Sequence, residues 1–188
     1  MCIRDSAFGS STILVSIEAI RRGEGQYEAY ANFGRERTGV DVFEWAERAV
    51  ELGAGELMVT SIDREGTGKG FDMELTRRIA ERVPVPVIAA GGAGRVEDVL
   101  TVIQEGKADA VALASILHYH VCHKRMADPV DYSDEGNTEF LKRGLGFSRI
   151  QGADIHEIKS FLLKENVTCR MTEDNSGTAA RGQEACYA

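Results

Sequence analysis

The sequence predicts an α/β fold built from parallel βα units, and three observations support this prediction. Four short apolar segments alternate along the chain with stretches whose apolar residues recur at helical spacing. These segments are mostly apolar and do not alternate with polar residues, so each strand is expected to be buried on both faces. Each connection between them contains a helical pattern of the kind that crosses over between parallel strands, for which ~10 to 15 residues are typical. Together these features are typical of a parallel sheet packed against helices.

The predicted strands and helices follow one another regularly. The strands are Ile13–Ile17, ending at Glu18, then Glu56–Thr60, Val87–Ala90 and Ala110–Leu113. The helices cover 42–52, 73–83, 96–103 and 155–163, and Asp41 is placed to cap the first of them. The segment Tyr27–Tyr30 alternates as a short hairpin arm does. Four such units fit either a small open sheet or half of an eight-stranded barrel, and periodicity alone does not decide between the two.

Size, charge and composition exclude several classes of protein. A chain of 188 residues can bury one substantial core, so a single domain is the expectation. The net charge of −8 argues against nucleic acid as a partner. No apolar run approaches the ~20 residues of a membrane span, and the first residues lack the features of a signal peptide. The sequence therefore predicts a cytoplasmic protein with no membrane partner, whose four cysteines are free thiols.

Each predicted strand is followed by polar or glycine residues. These are Glu18 after the first strand, Asp63 and Glu65 after the second, Gly91–Gly94 after the third and Ser115 after the fourth. Because the carboxyl ends of parallel strands lie at one edge of a sheet, these groups are expected to converge. Carboxylates are costly in a plain structural loop, since each must be solvated or paired. The pattern therefore predicts an active-site edge.

A phosphate site is predicted from the starts of two successive helices. Gly91 and Gly92 would let backbone N–H groups approach an anion where the helix dipole favours negative charge. Ala114 and Ser115 offer a second set of donors at the start of the next helix. This pair resembles the phosphate site formed by the last two loops of a barrel. The alternative for the glycines is a tight turn that requires positive φ.

Glu18 and Glu65 are the predicted acid/base pair. Two carboxylates that face one pocket can divide the roles of proton donor and proton acceptor. The alternative is a pair of solvated acids at strand ends. Asp63 is predicted to be structural, through an ion pair or a turn hydrogen bond. Only one of Thr60 and Ser61 can face a barrel interior, because side chains alternate along a strand.

No metal site and no cofactor are predicted. The run His118–His123 holds three histidines and one cysteine. A structural zinc site usually has paired ligand spacings and a second half, and the sequence offers neither. A polar loop with ordinary histidines is the preferred interpretation.

Five motifs taken together resemble one known family. They are Gly53-Ala54-Gly55-Glu56, Thr60-Ser61-Ile62-Asp63-Arg64-Glu65-Gly66-Thr67, Gly70-Phe71-Asp72, Gly91-Gly92-Ala93-Gly94 and Ala114-Ser115. This set resembles the cyclase subunit of imidazole glycerol phosphate synthase, a histidine-biosynthesis enzyme with a TIM-type (βα)8 barrel. The resemblance runs over 8–118 and again over 155–166. The set is highly specific, whereas Gly-Gly-Ala-Gly alone would not be.

The resemblance implies that the predicted strands are strands five to eight of the barrel. This would be a half-barrel with a small hairpin after its first strand and an insertion after its last. The implied divisions are 1–7 as an unrelated lead-in, 8–118 as the half-barrel core, 119–153 as the insertion, 154–166 as the final barrel helix and 167–188 as a disordered tail. The N-terminal half is expected to be missing through a truncated gene model. Its absence would leave apolar sheet edges through which chains self-associate.

The resemblance also implies a reaction. A partner glutaminase subunit supplies ammonia, and the barrel adds it to a ribulosyl aminoimidazole-carboxamide ribotide. The products are imidazole glycerol phosphate and the carboxamide ribotide. Glu18 is implied as the general acid/base, Glu65 as the assisting carboxylate and Glu56 as the ammonia gate at the opposite face. The residues implied to bind substrate and phosphate are Thr60, Gly66, Gly91, Gly92, Ala114 and Ser115.

Departures from the family pattern leave alternatives open. Glu18 and Glu65 stand where the family has Asp, Ile20 where Lys is usual and Ala90 where Ser is usual. Moving a carboxylate by about an ångström can cost catalysis ~100-fold. The alternatives are a divergent ammonia-channelling paralogue, a non-catalytic phosphate-binding half-barrel and a related phosphate-sugar isomerase. The acidic run that follows the second strand disfavours the isomerase.

Overall fold

The structure, a computed structural model, describes Gly9, residues 12–126 and residues 149–171. The predicted lead-in over 1–7, most of the predicted insertion and most of the predicted tail lie outside the described residues. Within the described ranges, no helix is long and apolar enough to cross a membrane.

Within the described residues, six strands form one mixed sheet and five helices accompany it. They are β1 (Leu14–Gly23), β2 (Gln26–Ala31), β3 (Glu36–Asp41), α1 (Val42–Glu51), β4 (Glu56–Ser61), α2 (Met73–Ala80), β5 (Val87–Ala90), α3 (Val96–Gln104), β6 (Ala110–Ala112), α4 (Ser115–Met126) and α5 (Ile155–Lys164). The strand order is β3-β2-β1-β4-β5-β6. Strands β1, β4, β5 and β6 are parallel, while β1, β2 and β3 pair antiparallel. The predicted α/β fold with parallel strands is confirmed, and the predicted hairpin is present as β2 and β3.

The first strand is longer than the sequence predicted, so the prediction that it ends at Glu18 is wrong. Parallel pairing with β4 does end near this point, at Ala19 opposite Ser61. The strand continues because β2 pairs with its other edge, as far as Gly23 opposite Gln26. Glu18 therefore lies within β1, close to where its parallel pairing stops.

The histidine run is helical, so the predicted polar loop over these residues is wrong. Helix α4 covers Ser115–Met126. Its first turn is anchored by Ile116, which is fully buried, and Leu117 and Tyr119 pack against the same apolar cluster. In the sequence, these three residues were the available indication of a helix, but the polar residues around them made the helical pattern hard to recognise.

Aspartates begin three of the helices by accepting hydrogen bonds from backbone amides that have no partner inside the helix. Asp41 accepts from the amide of Phe43 at 2.8 Å, which confirms the cap predicted from the sequence. Asp72 caps α2 and Asp154 caps α5 in the same way.

The sheet has one covered face and one open face, and side-chain alternation decides which residue lies on which. On the covered face Ile17, Leu57 and Val87 pack against α1 and α2 in one apolar cluster. A second cluster joins Ala89 to α3, α4 and α5. On the opposite face of the four parallel strands, every residue keeps some solvent exposure, and Leu14 is 45% exposed. The four parallel strands are therefore buried on one side only.

The two edges of the sheet differ from each other, whereas two apolar edges were predicted for a half-barrel. One edge is β3, whose residues are all exposed and mostly polar. The other edge is β6, which is only three residues long. Short or charged edge strands are the usual protection against edge-to-edge pairing. The prediction of two apolar edges is therefore wrong for β3.

Candidate functional site

One cavity lies at the carboxyl ends of the parallel strands β4, β5 and β6. Its volume is about 210 Å³, and it opens on the uncovered face of the sheet. Side chains and backbone from three successive strand ends line it, as the sequence predicted for such an edge. The predicted site residues among its lining are Thr60, Glu65, Gly91, Gly92, Ala114 and Ser115.

The alternation of β4 decides which hydroxyl reaches this cavity. Thr60 is half-buried on the open face and lines the cavity. Ser61 is only 2% exposed and lies on the covered face. Its hydroxyl has no hydrogen-bond partner among the described residues. The predicted alternation of the two side chains is confirmed, and Thr60 is the one on the open face.

The glycine pair is required by backbone geometry. Gly91 and Gly92 have φ of +87° and +107°, in the left-handed region that disfavours side chains. A Cβ on Gly91 would lie 2.8 Å from the carbonyl oxygen of Ser61, and one on Gly92 would overlap the carbonyl oxygen of Gly70. The Gly70 amide in turn donates to the Gly92 carbonyl at 2.8 Å. The tight-turn alternative therefore explains both glycines, and an anion role needs separate support.

The next amides along this loop are already occupied. Gly94 and Arg95 both donate to Oδ2 of Asp98, at 2.8 and 3.1 Å. Asp98 therefore places its own carboxylate at the start of α3, near the loop for which a bound phosphate was predicted. This leaves the start of α4, at Ala114 and Ser115, as the better location for an anion in the cavity.

Glu65 lies directly beside the glycine pair. Its Oε2 would be 3.1 Å from a Cβ placed on Gly91. A carboxylate at that position repels a second anion close by. A phosphate in this cavity would therefore have to lie on the Ser115 side, with Glu65 facing an uncharged or cationic part of the ligand.

Glu18 lies on the open face but outside the cavity. Its direct partners in register are Thr60 on β4 and Tyr30 on β2. Its Oε2 lies 3.8 Å from the Cβ position of Gly34 in the turn between β2 and β3. With strands about 4.8 Å apart, its Cα is roughly 10 Å from that of Ala90 at the cavity. The structure therefore places the two predicted catalytic carboxylates on either side of Thr60.

The remaining predicted residues lie apart from this group. Glu56 begins β4, about 13 Å along the strand from Thr60, at the opposite end of the sheet. Gly66 has φ of +69° and does not line the cavity. Asp63 accepts a hydrogen bond from the Arg21 amide at 2.7 Å, a contact with β1 and not the ion pair or turn hydrogen bond that was predicted.

Sequence reasoning missed the carboxylate that braces the hairpin beside Glu18. Glu28 is 7% exposed and lies opposite Ile20 on β1. Arg37 and Arg22 reach its Oε2 at 3.0 and 3.2 Å, and the Gly39 amide donates to Oε1 at 3.0 Å. The hydrogen bond from Arg37 is the largest factor that holds the pKa of Glu28 below its usual range. In the sequence, the available signal was the presence of three charged residues, Arg22, Glu28 and Arg37, in and beside a short hairpin.

Comparison with known proteins places these features in a family. A family model described as "Histidine biosynthesis protein" matches residues 4–123. The chain belongs to this histidine biosynthesis family. The resemblance drawn from the five sequence motifs is thereby confirmed.

Three curated proteins that also match this chain are each named imidazole glycerol phosphate synthase subunit HisF. The protein of Symbiobacterium thermophilum is 53% identical over 111 residues, 59% of this chain and 44% of the relative. That of Alkaliphilus metalliredigens is 47% identical over 113 residues, 60% and 45% of the two chains. That of Prochlorococcus marinus is 41% identical over 167 residues, 88% and 53%. The chain spans about half the length of these relatives.

Proposed function

We propose that this chain acts as the C-terminal half of a cyclase subunit of imidazole glycerol phosphate synthase. In this role it uses ammonia from a glutaminase partner to convert the ribulosyl aminoimidazole-carboxamide ribotide into imidazole glycerol phosphate and the carboxamide ribotide. The observation that carries the proposal is a cavity at the strand ends that is lined by Thr60, Glu65, the glycine pair and Ser115. The relatives named above supply the enzyme class.

The open face of the sheet supports a half-barrel. In a closed barrel, one face of each strand points to a filled interior while helices cover the outside. Here the four parallel strands carry helices on one face and leave the other partly exposed. Since the relatives are about twice as long, we assign the strands to positions five to eight. The proposed divisions are a lead-in over 1–7, a half-barrel core over 8–118, an insertion over 119–153, a final barrel helix over 154–166 and a tail over 167–188. The open face would favour self-association of chains, which sedimentation at increasing concentration would detect.

The proposed roles follow the position of each group. Glu18 acts as the general acid/base on the hairpin side of the substrate, and Glu65 assists from the other side of Thr60. Ala114 and Ser115 bind the phosphate, with Gly66, Gly91 and Gly92 shaping the loops around it. Glu56, at the opposite end of β4, is the ammonia gate towards the glutaminase. No metal or cofactor takes part, and a cytoplasmic location remains a prediction.

One observation favours a second candidate, a non-catalytic phosphate-ligand binder. Glu18 stands outside the cavity that Glu65 lines, and both replace the family's Asp. A divergent paralogue that delivers ammonia to another phosphorylated or sugar substrate would share this arrangement. These candidates differ from the first in turnover and in substrate, so kinetics separates them.

The test is ammonia-dependent turnover of the ribulosyl substrate, by the chain alone and with the N-terminal half of the Symbiobacterium thermophilum relative. Glu18→Gln is expected to lower kcat about 10²- to 10⁴-fold, because general acid/base catalysis contributes on that scale. Glu24→Gln, at an exposed position of the turn that joins β1 to β2, is the matched control and should retain activity. Turnover that survives Glu18→Gln would remove the assigned base. Binding of imidazole glycerol phosphate without any turnover would favour the binder.

A further inference from the structure

One short segment of the chain contacts each of the three elements that form walls of the strand-end cavity. This strap, residues 149–153, immediately precedes the cap of α5 and forms the end of the predicted insertion. The first wall is the loop after β4, which carries Glu65, and the second is the loop after β5, which carries Gly91 and Gly92. The third wall is the start of α4 at Ser115.

The strap contacts the first two walls through its backbone. A Cβ on Gly68, in the loop after β4, would lie 3.0 Å from the Arg149 carbonyl oxygen and 2.8 Å from Cγ1 of Ile150. A Cβ on Gly94, in the loop after β5, would lie 2.8 Å from the same Arg149 oxygen and would overlap the Gly68 carbonyl oxygen. The Gln151 amide donates to the Gly94 carbonyl at 2.6 Å. The two loops and the strap therefore meet where no side chain fits between them.

The strap is also fixed against α4, the helix that begins at the third wall. A Cβ on Gly152 would lie 2.6 Å from the backbone nitrogen of His120, so the two backbones touch. Ile150 and Ala153 on either side are 6% and 7% exposed, and both belong to the apolar cluster that holds Ile116 of α4. Because close-packed interiors transmit small displacements, a shift of the strap reaches all three walls.

We propose that the strap positions the walls of the cavity and thereby sets the affinity of the cavity for the anionic end of a ligand. The inference rests on the ligand site proposed above and gives the end of the insertion a role in that site. The described lining of the cavity includes none of the strap residues, so the strap acts through the walls and not by contact with the ligand. Its residues are therefore positioning residues.

The separation between Glu65 and Ser115 is the quantity that the strap controls. Glu65 belongs to the loop that contacts the strap at Gly68, whereas Ser115 begins the helix that contacts it at Gly152. A phosphate on the Ser115 side is repelled by the Glu65 carboxylate, and this repulsion depends on the distance between them. A strap that is held less firmly lets the walls move relative to each other, which weakens phosphate binding.

The test compares Ile150→Ala with its matched control Ile158→Ala in the full chain. The two side chains are 6% and 5% exposed in the same apolar cluster, but only Ile150 belongs to the strap. Each truncation leaves a cavity in that cluster, so similar falls in Tm are expected. Calorimetric titration with inorganic phosphate should show an affinity about fivefold or more weaker for Ile150→Ala, and a change of less than about twofold for Ile158→Ala.

Hydrogen exchange of the Gly70 amide supplies a readout that needs no ligand. This amide donates to the Gly92 carbonyl at 2.8 Å and so joins the first wall to the second. It should exchange about tenfold faster in Ile150→Ala than in Ile158→Ala, because similar global stability leaves only the local opening to differ.

Gly152→Ala is a second variant that tests the strap if Ile150→Ala does not fold. The new Cβ would lie 2.6 Å from the His120 backbone nitrogen and would push the strap away from α4. Gly106→Ala is its control, because a Cβ there would lie 2.6 Å from the Val102 carbonyl oxygen, at the end of α3 far from Gly94. Phosphate affinity and Gly70 exchange should change in Gly152→Ala and not in Gly106→Ala.

Equal changes in phosphate affinity and in Gly70 exchange within each pair of variants would overturn the proposal. A failure of the unaltered chain to bind phosphate would instead contradict the anion site of the proposed function. Exchange of the Gly70 amide would then decide alone whether the strap positions the walls, since it reports their contact without a ligand.

Discussion

The antiparallel hairpin side and the parallel loop side of the sheet share one continuous row of residues on the open face. They differ in the interactions that stabilise them. The row runs from Tyr30 through Glu18, Thr60 and Ala90 to Ala112. On the hairpin side (β1, β2 and β3), the strands are held by an ionic brace, the ion pairs of Glu28 with Arg22 and Arg37. On the loop side (β4, β5, β6 and the loops that follow them), backbone segments contact each other directly at glycines.

This difference has consequences for how each side tolerates change. A backbone contact at a left-handed glycine admits no other residue without rearrangement, so the loop side should respond abruptly to substitution. A side-chain brace loses strength gradually and depends on ionisation, so the hairpin side should respond to pH. The proposed ligand site uses both sides, with Glu18 on one and Ser115 on the other.

The largest expected effect is that of Gly92→Ala on the loop side. The new Cβ would overlap the Gly70 carbonyl and lie 2.8 Å from Cβ of Arg64, at a φ of +107°. We expect a loss of about 3 kcal/mol or more in the free energy of unfolding, since overpacking and backbone strain add. Chemical denaturation followed by circular dichroism measures this loss.

Gly66→Ala is the matched control for that substitution. Gly66 also has positive φ, +69°, but nothing lies within 4 Å of its Cβ position. Only the conformational cost remains, about 1 kcal/mol. Equal losses for the two variants would show that close backbone approach does not hold the loop side together.

The sequence predicted the parallel part of the fold well because that part is determined locally. The apolar segments at Glu56–Thr60 and Val87–Ala90 became β4 and β5 within a residue, since burial of a short apolar run leaves few alternatives. The extension of β1 beyond Glu18 was not predictable from its own residues, because it depends on pairing with β2. Helix α4 was missed because Ile116 needed partners from distant segments to show its buried face.

The candidate site was predicted in the same uneven way. Motifs identified the strand-end residues that line the cavity, since parallel strands end together whatever the loops do. They could not show that Asp98 occupies the amides of Gly94 and Arg95, because that contact depends on the exact turn. The motifs also gave no indication that His120 lies beside Asp154, because the two residues are far apart in the chain and only the fold brings them together.

A smaller and pH-dependent effect is expected for Glu28→Gln on the hairpin side. The pKa of Glu28 is lowered in the folded chain, so its ionised form stabilises the fold above about pH 4.5. This contribution is lost as the pH falls through the lowered pKa. The variant should therefore unfold at lower urea concentration than the unaltered chain at pH 7, and the difference should shrink towards pH 3.

Glu36→Gln is the control for the brace. Glu36 is exposed on β3 and accepts a hydrogen bond from Asn32 at 3.0 Å. It should show little change at either pH, because exposed interactions of this kind contribute little. A Glu28→Gln difference that stays constant from pH 7 to pH 3 would contradict an ionic brace.

The smallest expected effect concerns the hydrogen bond that joins the two sides. Tyr27 of β2 is buried against Phe43, and its hydroxyl donates to Oδ1 of Asp72, the cap of α2, at 2.9 Å. Burial, together with the Asp72 charge, raises the pKa of Tyr27, so the phenol is protonated at neutral pH and can donate. Tyr27→Phe keeps the ring packing and should cost about 1 kcal/mol of unfolding free energy.

Tyr30→Phe, at a half-buried position of the same strand, should cost less than about 0.5 kcal/mol. If the two variants lose the same stability, the Tyr27–Asp72 bond does not couple the hairpin side to the loop side.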